Sequence, residues 1–436
     1  MQRRDPRGAA WENISTKTKA MSKKDVRVCV CQLGARLHYG AARSFEQNGI
    51  LSSLITDICG VRGWPALLSA LPPSLRPAPM RRLLGRVPVG IPPAKIVSFP
   101  FMGVEYYFRL SRCRTEADRL RTYHKIDRKF GTLASRSGFK EATHVYTFSS
   151  AALEIIEAAH SAGLHTIVEQ PIAALEVQQQ IMEEEIAKYP GWEPHSECRA
   201  AMTDSIERQR SEWKIADTVI VPSKFVANSL EQVGISTKRV VIVPYGVSDK
   251  FRQIERQRHD GPLRVLSVGG LVLRKGPQYT AEAAKIAGNH FEFRLVGKSL
   301  LSDVARREFG ANISCVGQVP RSEISSHFEW ADVFLLPSLC EGMATVLIEA
   351  LAAGLPVITT PNSGLEVRDG VDGFAVPIRD ANAIASRLDQ LASDPHLLAH
   401  MSKNARERSA EFTLAAYGDR LLQELCPGLS SLASTT

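Results

Sequence analysis

The feature that most constrains the fold is an apolar run that leads into glycine, and it occurs twice, far apart in the chain. Residues 26–33 lead into Gly34, and residues 263–268 lead into Gly269. Each apolar run fits a parallel strand that is buried on both faces, and each glycine fits a tight turn from strand to helix. The two openings therefore predict two parallel sheets.

More strand and helix patterns alternate after each opening. In the first half, strands are predicted at residues 144–148, 165–168 and 218–221, and helices at 41–48, 151–162 and 224–233. In the second half, strands are predicted at residues 291–296, 313–316, 333–336 and 356–359, and helices at 277–287 and 414–425. Repeated strand–helix units imply parallel sheets with helices on both faces. A chain of 436 residues is also too long for one ordinary core. We predict an α/β protein of two doubly wound, Rossmann-like domains facing across a cleft.

Breaks between the patterns place the domain boundaries. Residues 1–24 are charged and lack an apolar stretch, so we expect a flexible tail there rather than a secretory signal. The first domain is predicted over residues 25–245. A Gly- and Pro-containing charged run predicts a hinge over 246–262. The second domain follows over 263–408, and residues 409–436 contain the last helical pattern.

Composition narrows the class of protein. Hydrophobic residues make up 44% of the chain and charged residues 23%, a balance typical of a globular protein. No run of 18 uncharged apolar residues occurs, so no transmembrane helix is expected. The eight cysteines include no Cys-x-x-Cys pair, which favours a reducing, cytoplasmic location.

The net charge of +8 is concentrated in one segment. Residues 61–130 contain 14 Lys and Arg against 4 Asp and Glu. The segment includes Arg81, Arg82, Arg86 and Arg112 and is rich in proline. Such a patch attracts a membrane surface, a phosphate-linked lipid or a nucleic acid. The alternative is a solvated, irregular surface segment.

The most informative motif follows the strand predicted over 333–336. A short loop carries Glu341, and a helix is predicted to begin near residues 342–344. Backbone N–H groups at a helix start lack intrahelical partners and favour a bound diphosphate. Glu349, about two turns into the helix by this prediction, can accept hydrogen bonds from two vicinal hydroxyls. By spacing alone, two solvated acids on an amphipathic helix would be the simpler interpretation.

The wider context of this motif resembles a known family. Glu341, seven residues, Glu349, and then Ala-x-x-x-Gly-x-Pro-Val-Ile resemble the retaining, nucleotide-sugar-dependent glycosyltransferases of GT-B fold, family 4 type. Supporting motifs occur in the family's order at residues 221–225, 243–247, 269–276, 316–320 and 369–374. The resemblance covers roughly residues 25–425.

This resemblance implies the function. A sugar would move, with retention, from a nucleotide-diphosphate donor to a glycan or lipid-linked acceptor in bacterial polysaccharide or glycolipid synthesis. The protein would be cytoplasmic, with peripheral attachment to the inner face of the membrane through residues 61–130 as a further expectation. The helix over 414–425 would cross back onto the first domain.

The resemblance also assigns roles to residues. Glu349 would hold the donor ribose, and Glu341 would contact the transferred sugar or support the leaving phosphate. Lys275 would neutralise charge on the departing β-phosphate. The remaining donor contacts would come from the backbone amides of Gly342, Met343, Ala344 and Thr345, from Val316 and Gln318 at the nucleobase edge, and from Gly34, which allows close approach of the first loop.

The chain departs from the family pattern at two positions. Many relatives carry an arginine where this chain has Gly270, and Arg274 is the candidate replacement. Many relatives also place a histidine where this chain has Glu169. We expect Glu169 to act as a base, to stabilise positive charge or to bind acceptor hydroxyls. His38 is a second acceptor-side candidate, with a plain loop histidine as the alternative.

Other chemistries lack their motifs. No Asp-x-Asp pair and no cluster with metal-ligand spacing occurs, so neither a metal nor another cofactor is expected. Dinucleotide and P-loop fingerprints are also missing. Two alternatives remain open. One is a non-catalytic GT-B relative that binds a sugar nucleotide or glycan. The other is a nucleic-acid-binding protein using residues 61–130, although the interleaved aromatics of a recognised module are missing and no nucleic acid partner is expected.

Overall fold

The computed structural model describes residues 25–69, 71–72, 84–193, 199–235, 240–256 and 259–425. The predicted flexible tail, residues 1–24, lies outside the described residues. So do Arg81 and Arg82 of the basic segment and the last residues of the chain, 426–436.

Thirteen strands in the described residues form two sheets in which every pairing is parallel. The strands are β1 (Val28–Gln32), β2 (Leu51–Thr56), β3 (Ile96–Ser98), β4 (His144–Phe148), β5 (His165–Glu169), β6 (Thr218–Val221), β7 (Val240–Ile242), β8 (Leu263–Val268), β9 (Phe291–Val296), β10 (Ile313–Gly317), β11 (Val333–Leu336), β12 (Val357–Thr359) and β13 (Gly373–Ala375). The first sheet has the order β3-β2-β1-β4-β5-β6-β7 and the second β10-β9-β8-β11-β12-β13. The predicted α/β fold with two parallel sheets is confirmed. We call the parts of the chain around these sheets the first and second domains.

Helices alternate with the strands through both domains. The α-helices in the described residues are α1 (Gly40–Gln47), α2 (Trp64–Ser69), α3 (Pro100–Arg112), α4 (Glu116–Arg136), α5 (Leu153–Ser161), α6 (Leu175–Lys188), α7 (Arg199–Ile215), α8 (Lys224–Gln232), α9 (Pro277–Ala287), α10 (Asp303–Arg307), α11 (Ile324–Trp330), α12 (Thr345–Ala352), α13 (Ala381–Ser393), α14 (Pro395–Arg408) and α15 (Leu414–Leu425). Helices α3 and α4 show that the irregular-segment alternative for residues 61–130 is wrong over residues 100–112 and 116–130. Across the ranges described, no helix is both long and apolar enough to cross a membrane.

The strand order places a crevice in each domain. In the first sheet the order reverses between β1 and β4, and in the second between β8 and β11. The connections that leave two such neighbouring strands diverge to opposite faces, so a crevice opens at their carboxyl ends. The loops after β8 and β11 carry most of the residues predicted to bind the donor.

An apolar core is continuous between the domains. One buried cluster includes Val30 of β1, Leu336 of β11 and Tyr417 of α15. It also includes Phe251, which lies in the linker between the domains, the segment predicted as a hinge over 246–262. The last helix packs closely on the first domain, because a Cβ added at Gly418 of α15 would lie 2.7 Å from a side-chain oxygen of α1. Burial of this apolar surface favours the observed arrangement of the two domains.

Candidate functional site

A cavity of about 330 Å³ lies at the crevice of the second sheet. Its walls come from the end of β8, the turn that follows, the loop after β11 and the first turns of α12. Four charged side chains line it: Lys275, Arg321, Glu341 and Glu349. A larger cavity of about 540 Å³ lies on the other side of Met343, which lines both. The charged groups predicted for the donor are gathered at the smaller one.

Local sterics fix Lys275 in this cavity. The turn that carries it ends at Gly276, whose φ of 76° is in the left-handed region. A Cβ at Gly276 would lie only 2.1 Å from the carbonyl oxygen of Pro337, so only glycine fits there. The lysine side chain then passes over Gly269, where an added Cβ would be 3.0 Å from Nζ. Two glycines of the sequence motif thus hold the lysine against the end of β8.

Glu341 forms ion pairs with two cations. Its Oε1 lies 3.0 Å from Lys275 Nζ and 3.1 Å from Arg274 Nη1. Burial raises the pKa of the Glu341 carboxyl, but the charges of Lys275 and Arg274 outweigh it and hold the pKa below its ordinary value. Glu341 is therefore a carboxylate at neutral pH. The cluster carries one surplus positive charge, which favours an anionic ligand.

Glu349 is the second buried carboxyl of the cavity. Its side chain is only 12% exposed, and its Oε1 lies 3.1 Å from Nη2 of Arg321, which is itself 63% exposed. Burial raises the pKa of Glu349, and the charges of Arg321 and Lys250 only partly oppose this. Arg321 follows β10 and was missed by the sequence interpretation, because only the folded chain brings that loop next to α12.

The first domain holds the loop between the two acids. Ser223 Oγ donates a hydrogen bond of 2.6 Å to the carbonyl oxygen of Gly342. A Cβ at Gly342 would lie 1.7 Å from the carbonyl oxygen of Pro171, so glycine is required by contact between the domains. The backbone N–H of Tyr245 donates to Met343 Sδ at 3.2 Å. Residues 221–225 and 243–247, noted above as supporting motifs, supply two of these contacts.

The start of α12 departs from the prediction. The N–H of Ala344 donates to the carbonyl oxygen of Ser363 at 2.9 Å, so this amide, predicted to bind a diphosphate, already has a partner in the structure. The helix begins at Thr345, which places Glu349 just over one turn into it rather than two. The amides of Thr345 and Val346 have no intrahelical partner in a helix that begins here, and both residues line the cavity.

Glu169 does not line this cavity. Its carboxyl group is buried, with Tyr146 Oη donating to one oxygen and Tyr245 Oη donating to the other at 2.7 Å. Burial raises the pKa of Glu169, although both hydrogen bonds act in the opposite direction. The structure therefore shows Glu169 bound within the core next to the linker, where it holds Tyr245. It does not reach the cavity as the catalytic group expected from its position at the end of β5.

The remaining predicted donor residues lie around the cavity. Gly270 borders a small cavity of about 20 Å³ beside Lys275, and Arg274 is the cation that reaches Glu341. Val316 is exposed at the end of β10, and Gln318 is exposed just beyond it. Neither lines the cavity.

The first loop of the first domain carries Gly34 and His38. Gly34 has a φ of 77°, and its N–H donates to Asp57 Oδ1 at 3.0 Å. His38 is exposed and lies between two other non-glycine residues of positive φ, a strained turn. Burial and the nearby charges of Arg321, Arg43 and Lys250 lower the pKa of His38. Arg321, one of these cations, also pairs with Glu349.

Among the described residues, no group of three or more His, Cys, Asp and Glu side chains is placed to hold a metal ion.

Two parallel, doubly wound sheets joined by a linker, with a charged cavity at the crevice of the second sheet, are the arrangement expected of the GT-B fold. The structure aligns over 93% of its length with all of a sucrose-phosphate synthase from Thermosynechococcus elongatus, with a TM-score of 0.62 and 17% identity. It also aligns over 92% of its length with 99% of HepE from Anabaena, solved with UDP and glucose, with a TM-score of 0.59 and 13% identity. The predicted GT-B fold is confirmed.

Sequence comparison finds relatives of the second domain. Residues 249–408 match the model of the family described as glycosyl transferases group 1. The chain is 32% identical over 203 residues to the amylovoran biosynthesis glycosyltransferase AmsK of Erwinia amylovora. This alignment covers 42% of this chain and 50% of AmsK. It is 30% identical over 217 residues to the putative colanic acid biosynthesis glycosyltransferase WcaL of Salmonella typhimurium. That alignment covers 46% of this chain and 53% of WcaL. The matched region thus spans about half the length of these relatives.

Proposed function

We propose that the protein is a retaining glycosyltransferase that moves a sugar from a nucleotide-diphosphate donor to a glycan or lipid-linked acceptor. The observation that carries the proposal is the gathering of Lys275, Glu341 and Glu349 around one cavity, with Arg274 paired to Glu341. The match of residues 249–408 to the glycosyl transferases group 1 supports the reaction class. The names of AmsK and WcaL support a role in bacterial polysaccharide synthesis. A cytoplasmic location is part of the proposal.

Donor binding would use both acids of the cavity and the start of α12. Glu349 can accept two hydrogen bonds from vicinal ribose hydroxyls once Arg321 has left its Oε1. The diphosphate would then lie against the amides of Thr345 and Val346, at the positive end of the helix dipole. This arrangement needs no metal to hold the phosphates, which is the basis for proposing metal-independent binding.

The leaving group would be stabilised by Lys275 and Arg274. Breaking the bond from sugar to phosphate moves an electron pair onto the β-phosphate, so negative charge grows there in the transition state. Fixed cations stabilise that charge without reorganising, and this is where electrostatic catalysis is strongest. Both cations are already positioned by their pairing with Glu341.

Glu341 is proposed to bind the transferred sugar rather than to act as an acid. Its lowered pKa keeps it ionised, so it can accept a hydrogen bond from a sugar hydroxyl. Its negative charge also lies beside a sugar centre that becomes positive as the leaving group departs. The acceptor hydroxyl would attack from the same face, with its proton passing to the departing phosphate. Ser223 and Tyr245 join the first domain to this loop, and closure of the domains there would exclude water from the reaction.

The first test is calorimetric binding of UDP, GDP and ADP in the presence of EDTA, followed by transfer assays with sugars on the nucleotide that binds. We expect one nucleotide to bind selectively and one of its sugars to be transferred with an unchanged anomeric configuration. A product of inverted configuration would contradict retention, and binding that EDTA abolishes would contradict metal independence.

The same experiment separates the alternative of a non-catalytic relative. The buried position of Glu169 favours this alternative, because a carboxyl held in the core by two tyrosines is not available as a base on the acceptor side. Selective nucleotide binding without transfer to any member of an acceptor panel would support it. A failure of all three nucleotides to bind would overturn the proposed donor site itself.

A further inference from the structure

Exposed apolar side chains are concentrated on one side of the first domain. Phe101 is 79% exposed, Leu67 75% and Phe108 50%. Large apolar groups left in water at this density mark an interaction surface, because single scattered ones would need no explanation. This surface plays no part in the cavity described above.

Two of these side chains share one face of α3. Phe101 and Phe108 are seven residues apart, which is about two turns or about 10 Å along the helix axis. Arg112 continues the same face, with its guanidinium carbon 5.8 Å from the centre of the Phe108 ring. The opposite side of α3 packs inward so closely that a Cβ at Gly103 would lie 2.7 Å from Ile58. The outward direction of the two phenylalanines is therefore fixed by the packing of the helix.

Helix α2 extends this face. The rings of Trp64 and Phe101 have their centres 6.3 Å apart, and Leu67 follows one turn after Trp64. We call the surface formed by Trp64, Leu67, Phe101 and Phe108 the α2–α3 face. Its aromatic and aliphatic groups come from two helices, so it is broader than one helix stripe.

Cations outnumber acids around the α2–α3 face, although Asp118 lines the same surface groove as Phe108 and Arg112. Arg62, Arg112 and Arg114 are exposed beside it in the sequence. Glu105 lies between the two phenylalanines on α3, but it pairs with Arg109 at 2.8 Å and also with Lys129, so its charge is more than offset.

Other cations of the basic segment are directed into the fold instead. Arg86 pairs with the buried Asp57 at 2.7 Å, and Lys95 pairs with Glu46 at 2.6 Å. The structure thereby separates the cations beside the α2–α3 face from those that stabilise the domain.

We propose that the α2–α3 face docks on an anionic membrane surface. Phe101, Phe108 and Leu67 would enter the boundary between head groups and acyl chains, and the arginines would contact anionic head groups. Apolar insertion and cationic attraction act together in this mode of binding, whereas a nucleic acid would use the charges and leave the aliphatic groups in water. The inference is independent of the proposed function.

Sedimentation with lipid vesicles tests the proposal on the full-length chain. The protein should sediment with vesicles that contain phosphatidylglycerol and much less with pure phosphatidylcholine. F101A and F108A should each weaken the partition coefficient by about tenfold, the loss expected for removing a largely buried aromatic side chain. R112Q should weaken it by about fivefold at low salt and less at high salt.

Matched controls come from the second domain. I286A and V304A remove apolar side chains that are 53% and 51% exposed on other helices and should leave sedimentation unchanged. Nucleotide binding should be the same in all five variants, so a failure of this proposal is distinguishable from a failure of the donor site.

Three outcomes would overturn the docking proposal. One is equal sedimentation of the parent and the F101A/F108A double variant. Another is a dimer, seen by light scattering, that this double variant dissociates, since the face would then bind a second copy. The third is a parent protein that does not bind vesicles but binds an oligonucleotide in a salt-sensitive way, with this binding weakened by R112Q.

Discussion

The substitution Lys275→Ala tests the proposed mechanism most directly. Lys275 Nζ lies 3.0 Å from Glu341 Oε1, and Arg274 Nη1 lies 3.1 Å from the same oxygen, so we expect Arg274 to remain as a partner when the lysine is removed. Because Glu341 keeps one cation, we expect unfolding to become easier by only about 1–3 kcal/mol. The catalytic loss should be larger, about 100- to 1,000-fold in kcat, as when one fixed group that stabilises a developing charge is removed.

Nucleotide affinity separates this role from simple binding. Charge on the β-phosphate is greatest in the transition state, so the Kd for the nucleotide diphosphate should change by less than about tenfold. The assay is calorimetric Kd together with kcat at saturating donor. Lys285→Ala is the matched control, since Lys285 forms an exposed pair with Glu308 away from the cavity. A fall in affinity as large as the fall in kcat would refute the leaving-group role.

Further predictions concern the other buried groups. Glu349→Gln should weaken nucleotide binding by about 1–3 kcal/mol, and unchanged affinity in calorimetry would contradict the ribose contact. The ionised Glu349 is the binding form and its pKa is raised, so affinity should fall as pH is lowered through that raised pKa. Arg321→Gln should move this midpoint to higher pH, because a cation that lowers the pKa is lost; a midpoint at lower pH would contradict the pairing. The pKa of Glu169 is higher in the folded than in the unfolded protein. Its contribution to the free energy of unfolding is therefore fully present at a pH below the pKa of the unfolded protein, and it is lost as pH rises through the pKa of the folded protein. Glu169→Gln should flatten that part of the stability curve in urea titrations, and an identical slope would exclude the assignment.

The strands and helices nearest the site were predictable from sequence. The predicted bounds of β8, β9, β11 and α9 match the structure residue for residue. These are short apolar runs and small-residue helices between glycine and proline, where the local pattern has one good solution. By contrast, α3 and α4 were not predicted, because their exposed arginines, aromatics and glycines obscure the helical period.

Which motifs contribute residues to the cavity could be predicted, but contacts between segments far apart in the chain could not. The pairing of Lys275 with Glu341 joins two motifs already recognised in the sequence. Nothing in the local pattern indicates that Arg321 reaches Glu349, or that Ser223 binds the carbonyl of Gly342. Glu169 shows the same limit, because its place at the end of β5 suggested a catalytic group while Tyr146 and Tyr245 bind it in the core.

Local sequence patterns are enough to predict the parallel sheets, the glycine turns and the acidic motif beside a helix start, because these depend on hydrophobic period and backbone sterics within short segments. The folded chain is needed to show which charges meet, which amides stay open and which carboxyl is buried. Those properties depend on distances between segments far apart in the chain, and both ion pairing and desolvation change steeply over a few ångströms.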